Sequence, residues 1–248
     1  LTGQEIEINS EVAFSGLSLM KIAILEETYR VRDGSPDTRA VGWLSEALGP
    51  ADDNAAANML LSDVIGGGDV YLGVETLTMS LGQLRLLNTF IAAPFDAENV
   101  SLTISTPANS RKDVFANPTP HMQTTPLDMG LLLEMIHQCS QGGGMLQAVY
   151  PDAFTVQECG QMLGWLSGDS SDTAVLIETG VPGDIEVLHR YGFTGDTHAD
   201  AGIVSGPNGD FVLVLFVHRP GWLEWEDSSS LVSDITAAVY NYYAASPR

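Results

Sequence analysis

The sequence predicts a mixed α/β fold, an α+β sandwich in which an antiparallel sheet built from both termini has flanking helices and an all-α lobe is inserted in the middle. Polar and apolar residues alternate over Glu5–Asn9, which is typical of a strand, whereas apolar residues recur at helical spacing through the middle of the chain. The last third returns to strand-like runs, and Pro207–Asp210 predicts a hairpin turn before the strand Phe211–Val217. One sheet with a helical insertion explains this order better than two sequential domains.

The predicted helices follow from apolar residues spaced three and four positions apart. The first begins at Ser18 and ends at Asp33–Pro36, where a glycine and a proline break the pattern. The third ends at Gly66–Gly68, since consecutive glycines favour the end of a helix. The predicted helices cover residues 18–32, 38–48, 53–65, 82–91, 124–138, 155–166 and 231–243.

The remaining segments are predicted to be strands and one long loop. Residues 105–123 are rich in Pro, Asn, Ser and Thr, and long loops inside compact domains tend to be functional. The strands predicted in the last third are 174–178, 185–188, 201–204 and 211–217. The length of 248 residues, 44% of them hydrophobic, suffices for a large core. We predict a single domain over 1–248, with an α/β lobe formed by 1–30 and 170–248 and a helical lobe over about 31–169.

The charge of the chain excludes several classes of partner. Its 32 acidic and 10 basic residues give a net charge of −22. No basic stripe is available to neutralise phosphates, which excludes nucleic acid and disfavours an anionic membrane surface. The apolar run Val212–Val217 is far too short to span a bilayer, so no membrane insertion is expected.

The cysteines and histidines predict no metal site and no cofactor. Cys139 and Cys159 lack partners at ligand spacing, and the five histidines form no metal-binding motif. The two cysteines form either a disulfide between neighbouring helices or two buried thiols. A disulfide agrees with the acidic, lysine-poor composition of an exported protein, and we therefore expect a secreted or cell-envelope location.

A serine stands three residues before one of only two lysines. Ser18 and Lys21 share a face at the start of a helix, where the amine is able to accept the hydroxyl proton if its pKa is depressed. The other lysine, Lys112, has Asn109 at the matching offset, so Ser-x-x-Lys occurs once. The alternative is an ordinary helix start, with Ser18 as N-cap and Lys21 solvated.

Two further segments turn this motif into a family resemblance. Asp52-Asp53-Asn54 resembles the Ser-Asp-Asn triplet of class A β-lactamases, and Arg190-Tyr191-Gly192 resembles their Lys-Thr-Gly strand. Residues 124–129 match the helix after the family's omega loop, and the resemblance covers essentially the whole chain. It implies an α/β sandwich with an all-α lobe and an active site between the two.

The resemblance also implies a small-molecule or peptide-like substrate and roles for individual residues. Ser18 is the expected nucleophile, Lys21 its general base and Asp52 a second proton shuttle. The backbone N–H groups of Ser18 and Phe193 are the expected oxyanion hole, with Phe193 following Gly192 along the strand. Asn54 is expected to bind the substrate amide and Arg190 its carboxylate.

Departures from the family pattern affect the same chemistry. Asp52 replaces a serine, and its negative charge is expected to raise the pKa of Lys21. The bulky phenol of Tyr191 is expected to narrow the site. The segment from Asp113 to Asn117 keeps the acid-to-Asn spacing of the family's deacylating Glu-x-x-Leu-Asn, which makes Asp113 the candidate for deacylation; the alternative is a solvated aspartate in a loop. We therefore expect a β-lactamase-like serine hydrolase that forms an acyl-enzyme on Ser18, with weak or non-standard β-lactam hydrolysis; the alternative is a catalytically impaired binding or sensor domain.

Overall fold

The structure, a computed structural model, describes residues 3–32, 34–167 and 174–245. Its α-helices are α1 (Met20–Arg30), α2 (Thr38–Leu48), α3 (Asn54–Met59), α4 (Val70–Gln83), α5 (Pro126–Ser140), α6 (Met145–Val149), α7 (Val156–Leu166) and α8 (Trp225–Ala245). Its strands are β1 (Phe14–Ser15), β2 (Phe90–Ile91), β3 (Met122–Thr124), β4 (Val187–Phe193), β5 (Thr197–Val204) and β6 (Phe211–His218). The predicted mixed α/β fold class is confirmed.

The helix boundaries follow from side chains that cap them. Asp37 accepts hydrogen bonds from two N–H groups in the first turn of α2, and Thr125 caps α5 just before Pro126. Thr155 and Glu158 form a capping box at the start of α7. The helix predicted over 82–91 is wrong. Asp69 caps α4, which covers residues 70–83, and residues 90–91 lie in β2.

The larger sheet has the order β4-β5-β6, is antiparallel throughout, and leaves β4 at an edge. The smaller sheet, in the order β1-β3-β2, fixes the chain just before α1. The predicted N-terminal strand is wrong: Glu5–Asn9 lies outside every described strand, so the larger sheet comes from the last third of the chain alone. The apolar side chains of that segment, Ile6 and Ile8, are 63% and 83% exposed and have no sheet or core to cover them. The strand predicted over 174–178 is also wrong, since a 3₁₀ helix occupies Leu176–Gly180.

Hydrophobic clusters lie on both faces of the larger sheet. Ala199, Ala201 and Ile203 of β5 belong to the main core, together with apolar residues of α1 and α5. Val204 of the same strand belongs to a second cluster, which includes Val232 of α8. Because β5 is buried along its whole length, the sheet is a rigid support for its neighbour β4.

The two cysteines, for which the sequence allows a disulfide or two buried thiols, form a disulfide. It joins Cys139, near the end of α5, to Cys159 in α7, with their Cα atoms 5.7 Å apart. A bridge across a separation of 20 residues stabilises a fold by about 3 kcal/mol, largely by restricting the unfolded chain. The boundary predicted at residue 170 lies outside the described residues, and the division into two lobes stays a prediction. Across the described ranges, no helix is both long enough and apolar enough to cross a membrane.

A buried ion pair lies behind β4, on the face turned away from α5. The ring of His189 contacts both carboxylate oxygens of Asp200, at 2.8 and 2.9 Å, and Glu178 at 3.6 Å. Burial by itself lowers the pKa of His189, but the charge and hydrogen bond of Asp200, aided by Glu178, outweigh it and raise the pKa to about 10. In the folded protein His189 is therefore a cation, which links β4 to Asp200 of β5 and to Glu178 in the segment before β4.

This pair predicts a pH-dependent stability. The folded pKa of His189 exceeds the unfolded value of 6.5, so its contribution is complete below pH 6.5 and disappears as pH rises towards about 10. We expect His189→Gln to lower the free energy of unfolding by about 3 kcal/mol near pH 6, with a smaller loss at each higher pH. Urea unfolding at several pH values between about 6 and 10 measures the difference in the free energy of unfolding between the variant and the unaltered protein, with His137→Gln as the control histidine. A difference that is constant or grows with pH would contradict the assignment.

Candidate active site

Ser18 lies on a tight turn between a strand and the most buried helix. β1 is held by β3, and Gly16 N donates to Met122 O at 3.0 Å. A 3₁₀ turn, Leu17–Leu19, then leads into α1, and Leu17 has a φ of 52°. A bulky residue rarely adopts this left-handed conformation, and such strain persists where the surroundings fix it, often at functional sites.

Lys21 is buried beneath this turn, with only 1% of its surface exposed. Its Nζ donates to the carboxylate of Asp52 at 2.5 Å and to the backbone oxygen of the same residue at 2.7 Å. Burial lowers the pKa of Lys21, while the hydrogen bond and the charge of Asp52 act in the opposite direction without cancelling it. The expected net rise in the pKa of Lys21 is therefore wrong, since desolvation outweighs Asp52.

Asp52 is placed by the turn between α2 and α3. Its φ is 47°, its N–H donates to Gly49 O at 3.0 Å, and the next residue, Asp53, caps α3. The side chain is 41% exposed, and its Oδ2 accepts a hydrogen bond from Ser18 Oγ at 2.8 Å. Its other oxygen, Oδ1, binds Lys21 and Arg190.

The carboxylate of Asp52 thus stands between the two residues of the Ser-x-x-Lys motif. Among the hydrogen bonds of the described residues, none joins Lys21 to Ser18, and Ser18 Oγ donates to Asp52 instead. The direct Ser18–Lys21 contact expected from helical spacing is replaced by a contact through Asp52. In this geometry the carboxylate is the immediate acceptor available to the hydroxyl proton.

Arg190 of β4 completes the group from the opposite side. Its guanidinium is buried and donates to Leu48 O at 2.7 Å and Ala47 O at 3.3 Å, as well as to Asp52. These contacts use the two terminal nitrogens of the guanidinium, whereas its Nε is buried and has no hydrogen-bond partner among the described residues. Arg190 thus anchors the turn that carries Asp52, and its role in holding a substrate carboxylate stays a prediction.

The end of β4 beyond the isolated bridge between Leu188 and Ser167 faces the nucleophile with an open edge. Thr194 N donates to Thr197 O and Ser205 N to Glu186 O, so even-numbered residues of β4 exchange backbone hydrogen bonds with β5. The odd-numbered Phe193 consequently turns its N–H outward, and Ser18 N–H lies in a first helical turn, where backbone donors lack intrahelical acceptors. These two N–H groups are the expected oxyanion donors.

The close approach of β4 to the nucleophile requires a glycine. A Cβ built on Gly192 would lie 2.7 Å from Ser18 N and 2.8 Å from Leu17 Cβ. We expect Gly192→Ala to displace Ser18 and slow its acylation by about a hundredfold. Gly160→Ala, a helical position with nothing within 4 Å of the added carbon, is the control. Burst kinetics with an aryl ester measure the rate, and an unchanged rate for Gly192→Ala would contradict this geometry.

Tyr191 does not narrow the site as expected. Successive side chains of a strand alternate between faces, so the Arg190 and Gly192 positions face Ser18 and Asp52 while Tyr191 faces the other way. Its ring packs against Trp225 of α8, with centroids 6.2 Å apart. The replacement of a small hydroxyl residue by tyrosine therefore fills the α8 side of the sheet.

Asn54 lies beside Asp52 at the start of α3, whereas Asp113 lies in an exposed loop with no described contact to the nucleophile or its partners. Asn54, at the start of α3 beside Asp52, donates from Nδ2 to Asp96 at 3.1 Å and is half-buried. Asp113 is an exposed residue that forms a two-point ion pair with Arg111, whose hydrogen bond lowers the pKa of Asp113 to about 2. No described contact joins Asp113 to Ser18 or its partners, so its proposed part in deacylation has no support from the geometry.

Phe95 is the residue that the sequence did not indicate. Asn58 binds its backbone twice, accepting from Phe95 N at 2.9 Å and donating to Phe95 O at 3.0 Å. The buried ring lies with its centroid 5.5 Å from Lys21 Nζ. Asn54 and Asn58 share a face of α3 because they are four residues apart. Their spacing indicates that this face binds a neighbouring segment, but it does not identify Phe95 within that segment.

Within the described residues, no three His, Cys, Asp or Glu side chains are grouped to hold a metal ion.

Comparisons with known proteins show which folds this chain is similar to. Two solved structures of PBP-A, one of them a mutant in an acyl-enzyme complex with penicillin G, each superpose with a TM-score of 0.69 at 18% identity, covering 98% of this chain and 86% of theirs. A β-lactamase from Desulfarculus baarsii gives 0.68 at 16% identity, covering 98% and 88%. A β-lactamase from Streptosporangium roseum gives 0.65 at 19% identity, covering 97% and 88%.

At these identities the structures establish the fold, and a sequence model establishes the family. No curated protein matches the chain in sequence. The model of the beta-lactamase enzyme family, however, matches residues 44–243, which include the Asp52 triplet and β4. The chain belongs to the beta-lactamase enzyme family, has the class A β-lactamase-like fold, and is at that level a β-lactamase-like serine hydrolase.

Proposed function

We propose that this protein forms an acyl-enzyme on Ser18 and releases it slowly, so that β-lactams are hydrolysed weakly. The observation that supports this best is the 2.8 Å hydrogen bond from Ser18 Oγ to Asp52 Oδ2. It joins a hydroxyl to a carboxylate that two buried cations hold in place, Lys21 and Arg190.

In the acylation step Ser18 Oγ attacks the carbonyl carbon and its proton passes to Asp52 Oδ2. The carbonyl oxygen becomes an oxyanion held by the N–H groups of Ser18 and Phe193. When the tetrahedral intermediate collapses, the bond to the leaving group breaks and Asp52 returns the proton to that group. Lys21 is a positioning residue in this scheme, because its ammonium orients the carboxylate through Oδ1.

The slow release follows from the residue beside Lys21. Hydrolysis of an acyl-enzyme needs a base that activates water, and the buried side chain there is the apolar ring of Phe95. Asp113, the carboxylate expected to serve, is paired with Arg111 in an exposed loop. The PBP-A mutant solved as an acyl-enzyme with penicillin G is consistent with a long-lived adduct on this fold.

Intact-mass spectrometry after incubation with fluorescent penicillin or 4-nitrophenyl esters tests the proposal. We expect one stable adduct per chain, retained in Ser45→Ala, an exposed serine on α2, and absent from Ser18→Ala. The rival function, a binding or sensor domain that has lost catalysis, predicts neither adduct nor turnover in any variant. Rapid turnover without an adduct would contradict the slow release.

We further propose an exported location, secreted or in the cell envelope. The disulfide between Cys139 and Cys159 supports it, since such bonds persist in oxidising compartments. Thiol labelling of protein taken directly from its host should find both cysteines blocked. Recovery of two free thiols would contradict an oxidising location.

A further inference from the structure

We propose that Asp96 is a positioning residue for Asn54, whose side-chain amide it holds ready for an acylamino group in the acyl part of the substrate. The inference rests on the proposed function, since it concerns the same acylation of Ser18. It adds a residue that belongs to none of the three sequence motifs. The substrates that it favours carry an amide on the carbon next to the carbonyl that Ser18 attacks.

Asn54 lies close to the reacting groups. It is the first residue of α3 and stands two positions after Asp52, which accepts the hydrogen bond of the nucleophile. Its Nδ2 donates to Asp96 Oδ1 at 3.1 Å. Phe95, the residue before Asp96, has its ring centroid 5.5 Å from Lys21 Nζ. The Asn54 amide therefore lies between two segments that both reach the reacting groups.

The segment that carries Asp96 is fixed to α3 by three hydrogen bonds. Asn58, one helical turn after Asn54, accepts from Phe95 N at 2.9 Å and donates to Phe95 O at 3.0 Å. Together with the bond between Asn54 and Asp96, two side chains on one face of the helix hold two consecutive residues of the loop. The exposed side chain of Asp96 therefore begins from a fixed backbone.

The backbone of Asp96 has a left-handed conformation. Ala97 N donates to Pro94 O at 3.4 Å, which closes a turn, and Asp96 at the third position of this turn has a φ of 61°. Glycine or asparagine is the usual residue at such a position. An exposed carboxylate in a strained turn beside the reacting groups indicates a role for the side chain itself.

The contact with Asp96 determines which way the Asn54 amide points. An ionised carboxylate only accepts hydrogen bonds, so the atom of Asn54 that faces Asp96 is the nitrogen Nδ2. The second N–H of this nitrogen is a donor suited to the carbonyl of an acylamino group. Because the amide is oriented before the substrate arrives, binding costs less side-chain entropy.

Two uncharged esters of equal length test this role: 4-nitrophenyl N-acetylglycinate, which has the acylamino group, and 4-nitrophenyl pentanoate, which lacks it. Each acylation rate is divided by the rate of hydroxide hydrolysis of the same ester. We expect the N-acetylglycinate to be favoured by about tenfold, which corresponds to one good hydrogen bond. In Asp96→Gly the preference should fall to about twofold, and Asp96→Asn, which keeps an acceptor for Asn54, should restore most of it. Glycine is usual at this position of the turn, so Asp96→Gly is expected to fold.

Two further comparisons separate positioning from a general effect on the loop. Asn99→Gly is the matched control, because Asn99 is exposed, has a φ of 57° and lies three positions further along the same loop. It should keep the preference of the unaltered protein. A variant cycle shows whether Asp96 acts through Asn54: once Asn54→Ala has removed the amide, Asp96→Gly should have no further effect on the preference.

The inference would be overturned by equal rates for the two esters, by a preference that survives Asp96→Gly, or by a further loss on Asp96→Gly in the Asn54→Ala background. Each of these results leaves the acyl-enzyme on Ser18 intact. Absence of any adduct would instead overturn the proposed function, and Asp96 is then judged by saturation-transfer NMR on Ser18→Ala with N-acetylglycinamide and pentanamide. A stronger signal for N-acetylglycinamide that is lost in the Ser18→Ala, Asp96→Gly double variant supports the positioning role. Equal signals, or a difference that the double variant keeps, overturn it.

Discussion

Replacing Asp52 with asparagine is expected to slow the acylation of Ser18 by about a hundredfold or more, the usual contribution of a general base. Asparagine keeps an oxygen near Lys21 but does not accept the proton that Ser18 Oγ donates at 2.8 Å. Because asparagine removes the charge that pairs with the buried Lys21 and Arg190, the rates are compared at a temperature at which the variant is shown to be folded. The rate of the 4-nitrophenolate burst measures the change.

The neighbouring residue is a matched control for Asp52. Asp53 caps α3 by accepting from Ala55 N and Ala56 N, and asparagine is an equally good cap. Asp53→Asn should therefore keep the rate of acylation close to that of the unaltered protein. If Asp52→Asn also kept it, the carboxylate would not be the acceptor of the Ser18 proton.

Replacing Phe95 with glutamate is expected to shorten the lifetime of the acyl-enzyme by about a hundredfold. The two hydrogen bonds to Asn58 hold the backbone at this position, and the ring centroid lies 5.5 Å from Lys21 Nζ. A carboxylate there gains the ammonium as a partner and is able to activate a water molecule near the ester. Intact mass measured over time after removal of excess penicillin gives the decay of the adduct.

Phe95→Leu separates the new base from the loss of the ring. It keeps the site apolar, so its adduct should persist as long as that of the unaltered protein. Equal lifetimes for Phe95→Glu and Phe95→Leu would contradict the account of slow release.

Much of the fold was predictable because it depends on local chemistry. The α2 and α7 helices were expected where Asp37, Thr155 and Glu158 cap them. The prediction of an N-terminal strand was wrong for a different reason. Alternation over Glu5–Asn9 describes one strand, but a strand also needs a neighbour and a covering layer, and neither is encoded within the segment.

The candidate site was predictable in its members and less so in its contacts. The sequence motifs identified four candidate site residues, and the structure places all four in contact through Asp52: Ser18, Lys21, Asp52 and Arg190. That Arg190 reaches Asp52, 138 positions away, depends on which face of β4 meets the turn after α2. Such a choice belongs to tertiary packing. Phe95 was missed because an apolar residue has no motif of its own.

The rate of Ser18 acylation as a function of pH tests the central claim that Asp52, and not Lys21, accepts the hydroxyl proton. Burial lowers the pKa of Lys21, so a rate that depended on its free amine would rise with pH as that group lost its proton. We predict instead a rate that stays level between about pH 6 and pH 9 in stopped-flow measurements with an aryl ester. A rise through this range that disappears in Lys21→Met would contradict the account and return the role of base to Lys21.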